Sequence, residues 1–356
     1  MRHSSLTLAF NAMPWMPYLL ATLYPAMDEI IIVEGALESA APFADSNGHS
    51  TDGTLAAIRA FPDPQCKIKL VQQSGFWQDK NHMGAAGAGH VTGDWLWQFD
   101  SDEFMHTADI RQIQRLLMNR PHIGGLTLHR LDFFDGFDAI IQGGRYHNQR
   151  YCFPRIWRWG PGYRYVHLPP IVFTREGWDA RRLPRLAGGL LARRYGIYLY
   201  HYGHVSPAQV AQKMAIYAPL AYAQRDMGRN ETYIRRWQAR HFTRFTPWRV
   251  DRHPRPMSWL VPFRGTHPRW INHLQTVSHL ALGLETRPAI RAYLAQPWRW
   301  RTWALVGSLD AWPYAILYRR LPHTLKRLLR PFVRLIKARF LGFDYSAERA
   351  QIPPRR

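Results

Sequence analysis

Over the first 120 residues, strand-like and helix-like segments alternate repeatedly. This alternation constrains the fold more than any other feature of this 356-residue chain. Short segments that suit buried strands lie at residues 30–33, 67–73 and 94–100. Segments with helical spacing of apolar residues lie at 14–24, 49–61 and 107–120, and a segment rich in Gly and Ala at 79–92 also suits a helix. Strands that alternate with helices in this way predict an α/β layer fold with a mostly parallel sheet.

Acidic residues directly follow two of these predicted strands. Glu34 ends the first strand, and the third strand runs into Asp100, Asp102 and Glu103. Ligands of parallel α/β sheets gather at the carboxyl ends of the strands. Two carboxylates one residue apart suit a hard divalent cation whose coordination is completed by substrate phosphates. A solvated strand end or a helix-capping acid cluster is the alternative, because the D-x-D pattern alone is common.

Further motifs stand in a fixed order around these acids. They are the strand "DEIIIVEG", "STDGT" at residues 50–54, Lys80 before a helix of small residues, "GDW" at 93–95 and "DSDE" at 100–103. In this order, over roughly residues 8–218, the sequence resembles bacterial family-2-type glycosyltransferases. The resemblance implies a GT-A fold, which is the Rossmann-like α/β fold of nucleotide-diphospho-sugar transferases, with a mostly parallel sheet flanked by helices.

The resemblance also implies roles for single residues. Asp100 and Asp102 match the D-x-D pair that holds Mn²⁺ or Mg²⁺ and the donor phosphates. Glu34 matches the acid that contacts the base or ribose of the donor, and Lys80 matches a basic residue near its diphosphate. Asp52 belongs to the donor-side "STDGT" motif, which mainly shapes a loop and starts a helix. A solvated strand end for Glu34 and an ordinary surface position for Lys80 are the alternatives.

A second polar segment, "YLYHYGHVS", supplies His201 as a third metal ligand and His204 as a further candidate. A structural histidine is the alternative for both, although imidazole suits Mn²⁺. An inverting transfer needs a general base near the acceptor hydroxyl. We select Asp135 for that role, with the other acids of "LDFFDGFD" and Glu103 as competitors. Arg155 and Arg158 either line the acceptor side or pack among the tryptophans.

Charge divides the chain, since residues 1–110 carry −8 and residues 111–356 carry +30. We place a GT-A domain at residues 1–222 and a basic, Arg- and Trp-rich, mainly helical C-terminal extension at 223–356. Its segment 319–341 is amphipathic and basic. It suits a helix that binds an anionic membrane surface, or a helix that packs its apolar side on the protein core and exposes its basic side to solvent. Without a signal peptide or an apolar run of about 18 residues, the sequence predicts a cytoplasmic protein, peripheral on the inner face of the membrane.

These observations predict a metal-dependent glycosyltransferase that uses a UDP- or GDP-linked sugar and a glycan or lipid-linked acceptor. The inverting stereochemistry rests on the resemblance. One alternative is a nucleic-acid-binding protein, prompted by the basic C-terminal part, but it does not explain acids at strand ends, and no nucleic-acid partner is expected. The other is a nucleotidyltransferase on the same fold. The chain lacks the Gly-rich basic phosphate loop which that chemistry favours after the first predicted strand.

Overall fold

The computed structural model describes residues 1–141, 152–167, 170–206 and 260–278, with residues 209, 249–250, 255–256, 291–292, 294–298 and 301. The helices are α1 (Trp15–Leu23), α2 (Thr54–Arg59), α3 (Lys80–Ala88), α4 (Thr107–Met118), α5 (Gly188–Tyr195) and α6 (Arg269–Ser278). Two short 3₁₀ helices lie at Glu38–Phe43 and Ala180–Arg182. The basic segment 319–341 and the predicted boundary at residue 222 lie outside the described residues.

The strands of the main sheet come from all along the described chain. They are β1 (His3–Ala9), β2 (Glu29–Glu34), β3 (Ile68–Val71), β4 (Trp95–Gln98), β5 (Glu103–Phe104), β6 (Gly125–Asp132), β8 (Cys152–Arg158), β11 (Arg185–Leu186) and β12 (Leu199–His201). Short two-stranded pairs use β7 (Ala139–Ile141), β9 (Arg164–Val166), β10 (Ile171–Phe173), β13 (Arg249–Val250), β14 (Arg255–Pro256) and β15 (Leu260–Pro262).

The main sheet has the order β3-β2-β1-β4-β8-β6-β12-β5, and β11 pairs with β6. Strands β1 to β4 are parallel to one another, and β8 is antiparallel to both β4 and β6. Because β12 is parallel to β6, the strands β1–β4, β6 and β12 all run in one direction and end at one edge, here called the carboxyl edge. The predicted α/β class with a mostly parallel sheet is confirmed.

Local sequence explains how the layers pack. All six residues of β2, "EIIIVE", are buried, as expected for an interior strand covered on both faces. Helix α3 is rich in glycine and alanine, and it lies close to the sheet. A Cβ atom on Gly87 would come within 2.4 Å of a methyl of Leu6 and 2.5 Å of a methyl of Val33. The small residues of α3 therefore allow this helix to lie close to β1 and β2, as the Gly- and Ala-rich sequence predicts.

Strand β1 lies between β2 and β4 in the parallel part of the sheet, and its local sequence does not predict a strand. Its residues "HSSLTLA" include buried hydroxyl side chains, so they do not form the apolar run expected of an interior strand. The hydroxyl of Ser4 donates to Oε2 of Glu29 at 2.6 Å, which satisfies two buried polar groups together. The first strand that the sequence predicts, at residues 30–33, is therefore the second strand of the structure, β2.

Residues 260–278 pack against the domain that the sequence predicts at 1–222. Strand β15 pairs antiparallel with β7, and α6 contacts α1. The ring of Phe263 lies 4.9 Å from that of Phe133 in an edge-on arrangement. These residues complete the core beside β7 and α1. Among the described residues, no helix combines the length and the apolarity that crossing a membrane requires.

Candidate functional site

Charged and imidazole side chains gather at the carboxyl edge, where β4, β6 and β12 end. Asp100 and Asp102 follow β4, Asp132 ends β6, and His201 ends β12. Strand β5 runs in the opposite direction, so it begins at this edge, with Glu103. All of these side chains except that of Asp100 are at least 94% buried. The sheet topology thus brings together residues as far apart in sequence as Asp100 and His201.

His201 stands between two carboxylates. Its Nδ1 atom lies 2.6 Å from Oδ1 of Asp132, and its Nε2 atom lies 3.7 Å from Oδ1 of Asp102. The first distance is that of a short charge-assisted hydrogen bond, whereas the second is too long for one. Nε2 and the Asp102 carboxylate therefore face each other across a gap.

Gly203 keeps that gap open. A Cβ atom at this position would lie 2.6 Å from Nε2 of His201 and 2.9 Å from Oδ2 of Asp102. Any residue larger than glycine would press on both groups at once. The absence of a side chain thus leaves room beside the two facing ligand atoms.

The carboxylate and imidazole groups at this gap fit a divalent cation. Oxygen ligands lie about 2.0–2.1 Å from Mg²⁺, so two ligand atoms of one ion lie at most about 4.2 Å apart. The separation of 3.7 Å between Asp102 and His201 satisfies this limit. Asp132, His201 and His204 also each offer one ligand atom within 4.8 Å of the others. His201 is common to both sets.

Glu103, fully buried, anchors the acidic motif to the neighbouring strands. Its Oε1 accepts a hydrogen bond from Nη2 of Arg155 at 2.6 Å and lies 3.7 Å from Nη1 of Arg130. Its Oε2 accepts from the backbone N–H of Asp100 at 3.2 Å. The sequence alone indicates no specific role for Glu103 beside the other candidates for the base, because its arginine partners lie 27 and 52 residues away.

Asp100 is the exposed member of the motif, with 41% of its side chain accessible. Nη2 of Arg155, a candidate for the acceptor side from its sequence position, lies 3.0 Å from Oδ2 of Asp100. Partial burial opposes ionisation of Asp100, but the charges of Arg155 and Lys80 hold its pKa well below its usual range. Asp100 therefore remains a carboxylate, and Lys80 at the start of α3 lies near enough to act on it.

His167 was not singled out from the sequence. Its ring is buried, and Nδ1 lies 3.0 Å from the hydroxyl of Tyr165. Burial and the nearby charge of Lys80 lower the pKa of His167 to about 3, although Asp100 acts in the opposite direction. His167 is therefore a neutral polar group beside Asp100 at neutral pH.

Glu34 and Asp52 lie on the β2 side and hold loops in place. The fully buried Glu34 carboxylate accepts from the N–H of Ser50 at 2.8 Å and lies 2.8 Å from Nδ1 of His49. Asp52 accepts from the N–H of Met13 at 2.9 Å and from the hydroxyl of Thr54 at 2.6 Å. Asp52 thus shapes the loop and starts α2. The contact of Glu34 with a donor base or ribose stays a prediction.

Asp135 lies in the turn between β6 and β7. Its φ of 53° lies in the left-handed region, which aspartate tolerates better than most residues. Its N–H donates to the carbonyl of His204 at 2.9 Å, so the turn is tied to the segment that follows β12. Asp135 is buried, whereas the neighbouring Asp138 is exposed. The turn thus places Asp135 next to the histidine segment.

No protein-family model matches the sequence, and no curated protein sequence matches it. Among solved structures, residues 1–349 of S. aureus TarS in complex with UDP-GlcNAc align at 12% identity with a TM-score of 0.39, covering 96% of this chain and 89% of that one. Glucosyl-3-phosphoglycerate synthase from Mycobacterium tuberculosis, in complex with Mn²⁺, UDP and phosphoglyceric acid, aligns at 16% identity with a TM-score of 0.27, covering 38% and 44%.

The chain's own sheet defines its fold class. In the described residues, strands of one direction end at an edge that carries the D-x-D motif, and helices flank the sheet. This is the α/β fold with a mostly parallel sheet that the sequence predicts, and its GT-A type stays a prediction.

Proposed function

We propose that the chain is a glycosyltransferase that moves a sugar from a nucleotide-sugar donor to a hydroxyl of a glycan or lipid-linked acceptor. The reaction depends on a divalent cation and inverts the anomeric centre. The observation that carries this proposal is the gap at Gly203, where Asp102 faces Nε2 of His201 at 3.7 Å. Asp100 lies near His201 and within the electrostatic reach of Lys80, whose positive charge suits a bound diphosphate.

Charge explains why such a site needs a cation. The acids at the carboxyl edge would repel a nucleoside diphosphate, and the buried Arg155 is already paired with Glu103. A bound Mn²⁺ or Mg²⁺ would neutralise the phosphates and the charge that develops on the leaving group. Asp102 and His201 would hold the ion. Asp100 would support it from the exposed side, and Lys80 would contact the diphosphate.

Proton transfer is the task we assign to Asp135. The acceptor oxygen forms a bond to the anomeric carbon while the bond from that carbon to the diphosphate oxygen breaks. The electron pair of the broken bond leaves with the nucleoside diphosphate, and the hydroxyl proton passes to the Asp135 carboxylate. The backbone hydrogen bond from Asp135 to His204 supports the assignment, because it keeps Asp135 next to the segment that follows His201.

A panel of sugar nucleotides tests the proposal. The purified full-length protein is heated with UDP- and GDP-linked sugars, with and without Mn²⁺. We expect an increase in melting temperature that requires Mn²⁺ and the sugar nucleotide together. Tight oligonucleotide binding without any such increase would favour the nucleic-acid-binding alternative. Pyrophosphate release from a nucleoside triphosphate and a sugar phosphate would favour the nucleotidyltransferase.

A further inference from the structure

Asp132 is a buried carboxylate that the proposed reaction does not use. It ends β6, and only 2% of its surface is exposed. The pairing of β6 with β12 places it directly beside His201 in register. The backbone alignment therefore brings this carboxylate to the imidazole, and Nδ1 of the ring lies 2.6 Å from its Oδ1.

Both oxygens of Asp132 are occupied by protein groups. Oδ1 contacts Nδ1 of His201 and also lies 3.0 Å from Nη2 of Arg130. Oδ2 accepts a hydrogen bond from the same Arg130 nitrogen at 3.3 Å. A cation at Asp132 would stand next to the Arg130 guanidinium, which is electrostatically unfavourable. Asp132 is therefore better suited to orient His201 than to bind the ion, although its oxygens lie close enough to do so.

Arg130 is itself held on two sides. Nη1 lies 3.7 Å from Oε1 of Glu103, and its Cζ atom lies 4.1 Å from the ring centre of Phe153. Only 10% of its side chain is exposed. A continuous series of contacts therefore runs from Glu103 through Arg130 and Asp132 to His201. It starts in the D-S-D-E motif and ends at the imidazole that faces the second aspartate of that motif.

We propose that Asp132 is a positioning residue, held by Arg130 and Glu103, which fixes His201 with Nδ1 protonated and Nε2 free to bind the cation. A carboxylate behind a metal-binding histidine fixes the tautomer and direction of the ring and increases its basicity. This inference rests on the proposed function for the presence of the cation. It deepens that function by giving Glu103 and Asp132 a common task.

A double-mutant cycle on Mn²⁺ affinity tests the role of Asp132. Free Mn²⁺ is measured by electron paramagnetic resonance for wild type, Asp132→Asn, His201→Ala and the double variant, in the presence of UDP. We expect Asp132→Asn to weaken binding about 10- to 100-fold in the wild-type background and to change little once His201 is absent. Asp94→Asn is the matched control and should bind as wild type does, because Asp94 precedes β4 and its side chain is 58% exposed.

Two results would overturn the inference alone. One is an Asp132→Asn variant that binds Mn²⁺ like wild type, and the other is an equal loss in both backgrounds, which would make Asp132 a ligand itself. Wild-type protein that binds no Mn²⁺ would overturn the inference together with the metal dependence of the proposed function. Circular dichroism of each variant separates lost binding from lost folding.

The tautomer of His201 provides a measurement on wild-type protein, which avoids any folding defect of the variants. Long-range proton–nitrogen NMR spectra of the Mg²⁺-saturated protein distinguish the two ring nitrogens. We expect a protonated Nδ1 and an unprotonated Nε2. A ring protonated on Nε2, alone or together with Nδ1, would contradict the inference.

Discussion

Arg155 joins Glu103 to Asp100, since Nη2 of this one guanidinium lies 2.6 Å from Oε1 of Glu103 and 3.0 Å from Oδ2 of Asp100. Arg155 and Glu103 are both at least 95% buried, and the charges of Glu103 and Asp100 raise the pKa of Arg155 against the opposing effect of burial. The buried guanidinium of Arg155 thus fixes the D-S-D-E motif to β8. Ligand geometry at the carboxyl edge consequently depends on a residue 55 positions away.

Removing the charge of Glu103 should destabilise the fold. Glu103→Gln leaves the buried Arg155 without its nearest counter-charge, so we expect the free energy of unfolding to decrease by about 3 kcal/mol. Denaturant titration measures this difference. Glu176→Gln is the matched control, because the ion pair of Glu176 with Arg175 is exposed to solvent. The unfolding curve of this variant should match that of wild type. Equal stability of both variants would show that the buried pair does not hold the motif.

Filling the gap at Gly203 should weaken cation binding without unfolding the protein. The Cβ atom of Gly203→Ala would press on Nε2 of His201 and on Asp102, so we expect Mn²⁺ affinity to decrease on the order of tenfold or more. Isothermal titration calorimetry measures the affinity. Gly89→Ala is the control, since a Cβ there meets its nearest atom at 3.4 Å, an ordinary contact. Unchanged affinity in Gly203→Ala would place the cation elsewhere.

The general base should be separable from donor binding. Asp135→Asn removes the proposed proton acceptor, so we expect the transfer rate to decrease about 10²- to 10⁴-fold while Mn²⁺ and the donor still bind. Product formation and thermal stabilisation by the donor are measured side by side. The exposed Asp138→Asn should retain the wild-type rate. A transfer rate in Asp135→Asn equal to that of Asp138→Asn would remove Asp135 from the mechanism.

Stability should decrease in mild acid partly through His267. Burial lowers the pKa of His267 to about 4, and its Nδ1 lies 2.8 Å from the hydroxyl of Tyr202. The unfolded chain binds this proton near pH 6.5 and the folded protein only near pH 4, so the free energy of unfolding decreases as pH falls between these values. Burial lowers the pKa of His3 to about 4, which contributes in the same direction.

Denaturant titrations at several pH values between 7 and 4 test this effect. His267→Gln should show a smaller decrease in unfolding free energy over this range than wild type. His82→Gln, at an exposed position, should keep the wild-type dependence. An unchanged pH dependence in His267→Gln would mean that His267 does not contribute.

The position of the site at the carboxyl edge could be predicted from sequence. Parallel strands end at one edge, and the acids after β4 directly follow an apolar segment whose strand character is visible locally. The segment before His201 has the alternating pattern of a strand, so the position of His201 at a strand end could also be predicted from sequence. Short-range patterns thus suffice wherever a functional residue directly follows a strand.

Other features depend on contacts that sequence spacing does not show. Strand β1 could not be predicted locally, because the hydroxyl of its buried Ser4 is satisfied by Glu29, a partner 25 residues away. The task of Glu103 depends on arginines from two other strands. The packing of residues 260–278 depends on a pairing of β15 with β7 across more than 100 residues. Only the folded sheet brings these partners together.

The most direct test of the proposed function compares two aspartates on either side of β4. Asp102 follows the strand at the cation site, whereas Asp94 precedes it at the opposite edge and is 58% exposed. Hydrolysis of the sugar nucleotide that binds most tightly is measured with Mn²⁺ for Asp102→Ala and Asp94→Asn. The account predicts a loss on the order of 10³-fold for the first and wild-type turnover for the second. Mn²⁺-dependent turnover that persists in Asp102→Ala would contradict it.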